Sequence, residues 1–343
     1  MAYTIRDLNE EWNIWNEIVN NATSSFTYTQ DWIEFQNRLG KNSKQYIILN
    51  NDQPIGLINL EISKRKIAKL AYSPYGPVIK NENLADLENI LIEIKKFGQD
   101  FCKENGLNVF RIDPLLESKC IEKFKSTNWQ ESLALGIPKY EWIVDLDEDT
   151  DKLIMNQEKE TRYYINRGEK KRVTVSKANS KEEVLEFVEL MKETMARNNF
   201  VNFSANYYVK QWEELNSKGI TEIWIGRFEG KAISGALINY HKDKAYYSHG
   251  ASSSDKAMSN LASPYFLQWS IIKDAAKKGL KEYSFFGIVP KGIQHPWRGL
   301  SDFKMKFNGR VVEYTGPFEV YSNPLGYNIN KLADWWNYRD LRY

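Results

Sequence analysis

Lys304 stands in the run SDFKMKF (301–307). A lysine ammonium can hold an anion that develops during a reaction, so this residue type invites a catalytic reading. Ser301 reads as a helix N-cap. That puts Lys304 in the first turn, at the positive end of the helix dipole, where a cation is mildly disfavoured. Two readings follow: a solvated lysine on a short helix, as is usual for the type, or a cation aimed at an anion that arrives with substrate or develops in a transition state. Asp113 closes a predicted strand in RIDP (111–114). A carboxylate there either orients an ammonium and relays its proton or caps a turn before Pro114. A third candidate is KETRYYINRGEKKR (159–172), where Lys159, Arg162, Arg167, Lys170, Lys171 and Arg172 alternate with Tyr163 and Tyr164. Cations interleaved with aromatic rings suit nucleic-acid phosphates or a pyrophosphate, with Arg162 and Arg167 the expected contacts. Glu160 and Glu169 would equally make it a solvated amphipathic helix.

Other chemistries lack their residues. The sequence has no GxxxxGK[ST] phosphate loop and no GxSxG elbow. His241, His249 and His295 are the only histidines, and none is spaced as a metal-ligand pair, so no metal site is expected. Cys102 and Cys120 are too few for a disulfide framework, and Cys102 falls on an apolar helix face as a core residue. The 343 residues suffice for about two domains of ~150 residues. A net charge of +2 means that any nucleic-acid surface is local. With 27% charged residues, no apolar run of ~18 residues and an opening MAYTIRDLNEEW that lacks a basic or apolar leader, a soluble cytoplasmic protein is expected.

The elements that must position these residues come in two similar series. Helices are expected over 8–22 and 29–39, strands over 45–49, 55–63 and 67–72, a long helix over 84–105 ended by Gly106, and a strand over 108–112. The second series has helices over 181–198 and 206–215, a hairpin of 220–228 and 231–240 about Glu229-Gly230, and a strand over 245–250. It closes with a helix N-capped by Ser263 and stopped by Gly279, then a strand over 282–286. Asn105-Gly106-Leu107 matches Lys278-Gly279-Leu280, and Ile55-Gly56 matches Ser234-Gly235, at an offset of roughly 175 positions. Helices, a three-stranded meander, a long helix and a further strand is the element order of the GNAT (N-acetyltransferase) fold, an α+β architecture. The Gly-rich loop that grips acetyl-CoA in such folds is absent at both places where it belongs: they read Asn83-Leu84-Ala85-Asp86 and Leu261-Ala262-Ser263-Pro264.

The run SPYFLQWSIIKDAAKKGLKEYSFFGI (263–288), the His295-Pro296 loop and GLSDFKMKFNGRVVEYTGPFEV (299–320) together resemble the C-terminal signature of the Fem family. Its members (FemA, FemB and FemX types) are aminoacyl-tRNA-dependent transferases that build the peptide cross-bridge of peptidoglycan. The resemblance implies two tandem GNAT-like domains: residues 1–147 with the returning tail 318–343 for the acceptor muropeptide, and 148–317 for the aminoacyl-tRNA. Residues 181–215 are taken up by two ordinary helices, so the coiled-coil arm of some members is absent and the chain resembles the armless FemX type.

By the same resemblance no cofactor is expected. Aminoacyl-tRNA is the co-substrate, and the partner is a muramyl pentapeptide, UDP-linked or lipid-linked. Lys304 matches the family lysine that stabilises the oxyanion, and Asp113 an aspartate near the attacking amine. LAYSPYGP (70–77), with Tyr72 and Gly76, resembles an acceptor-groove segment. Trp32 belongs to a W-x-x-x-K pattern whose basic residue helps hold the UDP pyrophosphate, but here that position is Gln36. A second family base falls in Asn202-Phe203-Ser204, which has none. A UDP-linked acceptor therefore loses its two bases, and a lipid-linked one, or a pyrophosphate held by 159–172, stays open. Tyr207, Tyr247, His249 and Phe303 complete the expected substrate contacts. The tail KLADWWNYRDLRY (331–343) is expected to dock on a domain through Leu332, Trp335, Trp336 and Leu341, with peripheral membrane contact as the other reading. Two alternatives stand beside the cell-wall reading: transfer to protein N-termini, and a non-catalytic tRNA or muropeptide binder.

Overall fold

The computed structural model describes residues 2–64, 69–134, 136–200 and 202–338. These form two compact units: Met1–Tyr140 with Val289–Pro296 and Val312–Tyr343, and Glu141–Ile288 with Trp297–Val311.

The first unit opens with a strand, β1 (Tyr3–Asp7), where a helix from residue 8 was expected. Asn9 and Glu10 adopt positive φ (49° and 65°), and this left-handed turn delays helix α1 to Trp12–Asn21. Helix α2 (Gln30–Arg38) is capped by Thr29, whose side chain accepts from the Trp32 N–H. Strands β2 (Ser43–Asn50) and β3 (Gln53–Lys64) are joined through Asn51-Asp52, both at positive φ, as a tight hairpin requires. β4 (Lys69–Tyr75) and β5 (Val78–Ile79) follow; the expected strand start at Ile67 lies outside the described residues. A 3-10 turn over Asn81–Asp86 leads into α3 (Leu87–Asn105), which ends where Gly106 turns left-handed at φ 64°. Its buried face includes Ile90, Leu91, Ile94, Phe101 and Cys102, and burial pushes the Cys102 thiol up to about 12, so it is inert core. β6 (Val109–Pro114), α4 (Ile121–Ser126) and β7 (Gln130–Glu131) complete the stretch.

The second unit follows the same plan. β8 (Tyr140–Asp145), α5 (Thr150–Met155) and α6 (Lys159–Lys170) lead to an opening strand, β9 (Thr174–Lys177). Helices α7 (Lys181–Asn198) and α8 (Ala205–Leu215) precede β10 (Thr221–Phe228), β11 (Lys231–His241) and β12 (Lys244–Ser252). Then come α9 (Ser263–Lys277), β13 (Glu282–Gly287), α10 (Arg298–Met305) and β14 (Arg310–Glu313). The chain closes with β15 (Phe318–Tyr321) and α11 (Pro324–Tyr338).

The strand orders are β1-β2-β3-β4-β6-β15-β7, with β5 on β3, and β14-β8-β13-β12-β11-β10-β9. Read from β1 and from β9, they correspond strand for strand. Each contains a parallel pair, β4/β6 in one and β12/β13 in the other. One face of each sheet is covered by the long helix (α3 or α9) and the other by a helix pair (α1/α2 or α7/α8). Because β8 lies beside β13, the break between units falls after Tyr140 rather than after residue 147, and 312–317 belong with the first unit. The tail does return to the first unit: β15 pairs with β6 over Phe318↔Ile112 to Tyr321↔Val109.

Three local expectations are corrected. Ser263 is not a cap: the residue before α9 is Ala262 at φ 54°, and the buried Ser263 hydroxyl is hydrogen-bonded to Ser234. Ser301 is not a cap either. It lies within α10 and donates to the Trp297 carbonyl (2.9 Å), so Lys304 sits in the last turn of its helix and not the first. There the dipole favours a cation, the reverse of the sequence expectation. Finally, Leu332, Trp335 and Trp336 point away from the unit they were expected to dock on, while Leu341 lies outside the described residues. Helix α11 is held by polar groups: Arg111 donates to Glu319 (2.9 and 2.7 Å) and pairs with Asp334.

Candidate functional site

Lys304 is buried, only 7% exposed, and its ammonium donates to the Gly287 carbonyl at 2.7 Å. That carbonyl is presented by an irregularity at the end of β13. The pairing with β8 shifts between Ser284 and Gly287, and Phe286 between them is left-handed at φ 57°, a conformation a bulky side chain rarely takes. The Ser284 hydroxyl steadies the kink by accepting from the Phe286 N–H (2.9 Å) and donating to Glu141. Glu141, itself buried, also pairs with Lys244 at 3.1 Å. Burial drives the Lys304 pKa down to about 7, with the Glu141 carboxylate pulling weakly the other way. The exposed-lysine reading is thereby set aside. Phe303 packs edge-on to Tyr265 (5.1 Å) and Phe307 (5.7 Å).

On β12, strand alternation would put Tyr247 and His249 on one face. A bulge intervenes: Ile238 pairs with Tyr247 and Leu237 with His249, leaving Ser248 extra. The two side chains therefore part. Tyr247 packs against Phe285 on the α9 face, whereas His249 meets Phe203 and Tyr208 on the α8 face and shares a hydrogen bond with Asn202 (3.3 Å). Tyr207 stacks on Phe203 at 4.0 Å, so Tyr207, Phe203 and His249 form one aromatic group and Tyr247 stands outside it. Burial lowers the His249 pKa to about 4, which keeps the ring neutral at physiological pH.

The basic stretch 159–172 is only partly available for a phosphate. Arg162 donates through one guanidinium nitrogen to the carbonyls of Met155 (3.0 Å) and Gln157 at the end of α5, a capping role. Tyr164 is packed on Tyr265 (4.7 Å). Arg167 reaches Tyr163, which is 58% exposed, at 3.3 Å. Lys159, Lys170, Lys171 and Arg172 are exposed.

In the first unit Asp113 is fully buried at the end of the parallel pair, opposite Pro74 of β4. Its Oδ2 accepts from the Ile137 N–H (2.6 Å) and from the Tyr72 hydroxyl (3.1 Å), and its own N–H donates to the Gly76 carbonyl (2.9 Å). Its Oδ1 has no hydrogen-bond partner among the described residues. Tyr72, Gly76 and Asp113 are thus brought together. Gly76 has to be glycine, since a Cβ would lie 1.6 Å from the Tyr28 hydroxyl. Trp32 is packed edge-on against Phe26 (4.8 Å) and Phe35 (5.7 Å), and Gln36 is buried on the same helix. Two partners that sequence reasoning missed are Gly136, where a Cβ would lie 1.7 Å from Asp113 Oδ2, and Glu141. Glu141 left a trace, a carboxylate inside the otherwise apolar strand YEWIV.

Burial raises the Asp113 pKa to about 7, outweighing its hydrogen bonds and Arg111. A carboxyl whose pKa is higher folded than unfolded favours the folded state below its unfolded value. That contribution is lost as pH rises through the folded value. Asp113→Asn keeps an oxygen for the Ile137 N–H, and we expect its urea midpoint to fall less than wild type between about pH 4 and pH 7. An unchanged decline would count against an ionisable, buried Asp113.

A family model described as "FemAB family" matches residues 119–225 and 225–334. The chain belongs to the FemAB family. Among FemAB relatives, a protein named lipid II:glycine glycyltransferase from Staphylococcus haemolyticus (strain JCSC1435) is 23% identical over 86% of this chain and 87% of its own length. The crystal structure of FemX superposes with a TM-score of 0.79 at 18% identity, covering 96% of this chain and 100% of that one. A tandem GNAT protein from the clavulanic acid biosynthesis pathway gives 0.55 at 7% identity, covering 94% and 99%. The fold is therefore the tandem GNAT arrangement. Where a GNAT protein grips CoA, this FemAB chain has 3-10 turns over Asn81–Asp86 and Lys256–Leu261 instead of a Gly-rich loop.

Proposed function

We propose that this FemAB protein is an aminoacyltransferase of peptidoglycan cross-bridge synthesis. It moves an amino acid from aminoacyl-tRNA to the stem-peptide amine of a lipid-linked muramyl pentapeptide. The observation that carries the reading is Lys304: a buried ammonium on α10, hydrogen-bonded to the carbonyl of a kinked strand end, at the position that resembles the family lysine assigned to the oxyanion. The relatives' name, lipid II:glycine glycyltransferase, supports the lipid-linked acceptor, as does Gln36 at the position of a pyrophosphate-binding base.

The reaction is an aminolysis. The acceptor nitrogen attacks the ester carbonyl, a C–N bond forms and the carbonyl oxygen becomes an oxyanion. The intermediate then collapses, breaking the ester C–O bond, and the departing tRNA ribose oxygen takes up the proton that the nitrogen has lost. At rest Lys304 uses one N–H on the Gly287 carbonyl, leaving others for the oxyanion, a far better acceptor in a site shielded from water. Proximity to the developing negative charge raises the lysine pKa from about 7, so the cation is strongest when it is needed. Asp113 is assigned the acceptor side, where its buried, unpartnered Oδ1 is the atom that takes up the proton the acceptor ammonium releases before attack.

The test is single-turnover transfer from a pool of radiolabelled aminoacyl-tRNAs, with lipid-linked and UDP-linked muramyl pentapeptide offered in parallel. Label on the lipid-linked acceptor is expected. Label only on the UDP-linked form would overturn the acceptor assignment, and label only on protein N-termini would replace the cell-wall reading.

A further inference from the structure

Helix α11 wears its polarity inside out. The side packed on the first unit carries Gly326, Tyr327, Asn330 and Asp334. Asp334 pairs with Arg111, Asn330 is hydrogen-bonded to Asn108 (3.4 Å), and Tyr327 stacks on Tyr321 (4.7 Å). The opposite side carries Leu325 (71% exposed), Ile329 (47%), Leu332 (66%) and Trp336 (63%) at i, i+4, i+7 and i+11, with Trp335 (45%) alongside. A helix that docks for its own stability buries such a stripe. This one uses an ion pair and hydrogen bonds to hold the stripe outward.

We propose that this outward face of α11 is a membrane-binding surface that lies in the headgroup layer of an anionic bilayer. The residues present fit that occupant. Adjacent tryptophans favour the interfacial layer, where one edge of the ring is apolar and the other wet. The helix carries two charges, Lys331 and Asp334. The acid is turned inward to Arg111, which leaves Lys331, exposed on the flank of the helix with its ammonium over the Tyr327 ring (5.7 Å), as the cation complementary to anionic headgroups. Among the described residues no helix is long and apolar enough to cross a membrane, and α11, at 15 residues, is shorter than the ~20 that a span needs. It therefore lies on the surface rather than through it. The choice of a lipid surface over another protein rests on the lipid-linked acceptor proposed above, whose polyprenyl chain keeps it in a bilayer.

The experiment sediments the full chain with vesicles that contain no acceptor, made of phosphatidylcholine alone or mixed with phosphatidylglycerol. Binding to the mixed vesicles is expected, weaker on phosphatidylcholine alone. It should fall about tenfold in Leu325→Ser/Leu332→Ser/Trp336→Ser, whose circular dichroism and melting should match wild type because the changed side chains are exposed. Lys331→Glu should weaken binding to the anionic vesicles only. Equal sedimentation of wild type and the triple variant would overturn the proposal. So would a wild-type dimer that the triple variant dissociates while neither binds vesicles, since the face would then join two copies of the chain. Transfer is read separately. The triple variant should keep transfer to a water-soluble, short-chain acceptor and lose about tenfold on a vesicle-embedded one. Vesicle binding without any transfer would sink the transferase reading and leave this surface standing.

Discussion

Lys304→Met should lose transfer and gain stability at once. Removing a donor to the oxyanion costs about 10²–10³ in rate, corresponding to roughly 3–4 kcal/mol. The fold responds in the other direction. A lysine whose pKa falls to about 7 on burial opposes folding at full strength below that pH. The penalty shrinks as pH rises toward the unfolded value near 10.5 and is gone above it, since only then is the amine neutral in both states. Methionine fills a similar volume without a charge, so the melting temperature of the variant should exceed wild type at pH 7 and converge on it near pH 10.5. Single-turnover rates and melts across that range measure both effects. A variant that is inactive because it is misfolded would melt lower instead, and one that transfers at the wild-type rate would remove Lys304 from the chemistry.

Arg111→Ala should be among the most damaging substitutions for the fold. It strands Glu319, only 1% exposed, and Asp334 without their cation, and a buried pair broken on one side typically costs about 3–5 kcal/mol. For a unit of this size that corresponds to a fall in melting temperature of roughly 10 °C or more. Replacing all three with apolar residues of similar volume (Arg111→Met/Glu319→Leu/Asp334→Leu) should recover much of the loss, because the desolvation cost of the charges goes with them. Calorimetry on the two variants decides it. Equal melting of Arg111→Ala and wild type would show the cluster to be dispensable.

Much of the architecture was legible from local chemistry. The helix Lys181–Asn198, the left-handed stops at Gly106 and Gly279 and the Glu229-Gly230 hairpin turn each follow from a few adjacent residues, and the structure has them where the sequence put them. What failed was decided at long range. Ser263 and Ser301 have the side chain of a cap, but their hydroxyls go to Ser234 and to Trp297 instead. The opening strands β1 and β9 are edge strands of four or five residues, too short to show alternation beside the helices that follow. In the tail the apolar stripe was visible, but which side faces inward depends on Arg111, more than 200 positions away in the chain. The same holds at the candidate site. Lys304 and Asp113 were picked out by residue type and resemblance. The burial that displaces their pKa values arises from a kink at Phe286 and from the approach of Gly136 and Ile137, which no local pattern announces.

The placement of β15 beside β6 sets an order of events during synthesis. When the ribosome has made β6, the neighbour that completes its far edge is still about 200 residues from being translated, which at ~5–20 residues per second is a delay of roughly 10–40 s. Throughout that interval the backbone groups along that edge of β6 offer a template to any passing strand, and Arg111 waits without Glu319 or Asp334. The amino-terminal half of this protein is therefore the last to be finished. A nascent chain stalled between β6 and Phe318 carries an open sheet edge and a cation without its carboxylates, the kind of surface that chaperones hold and proteases clear.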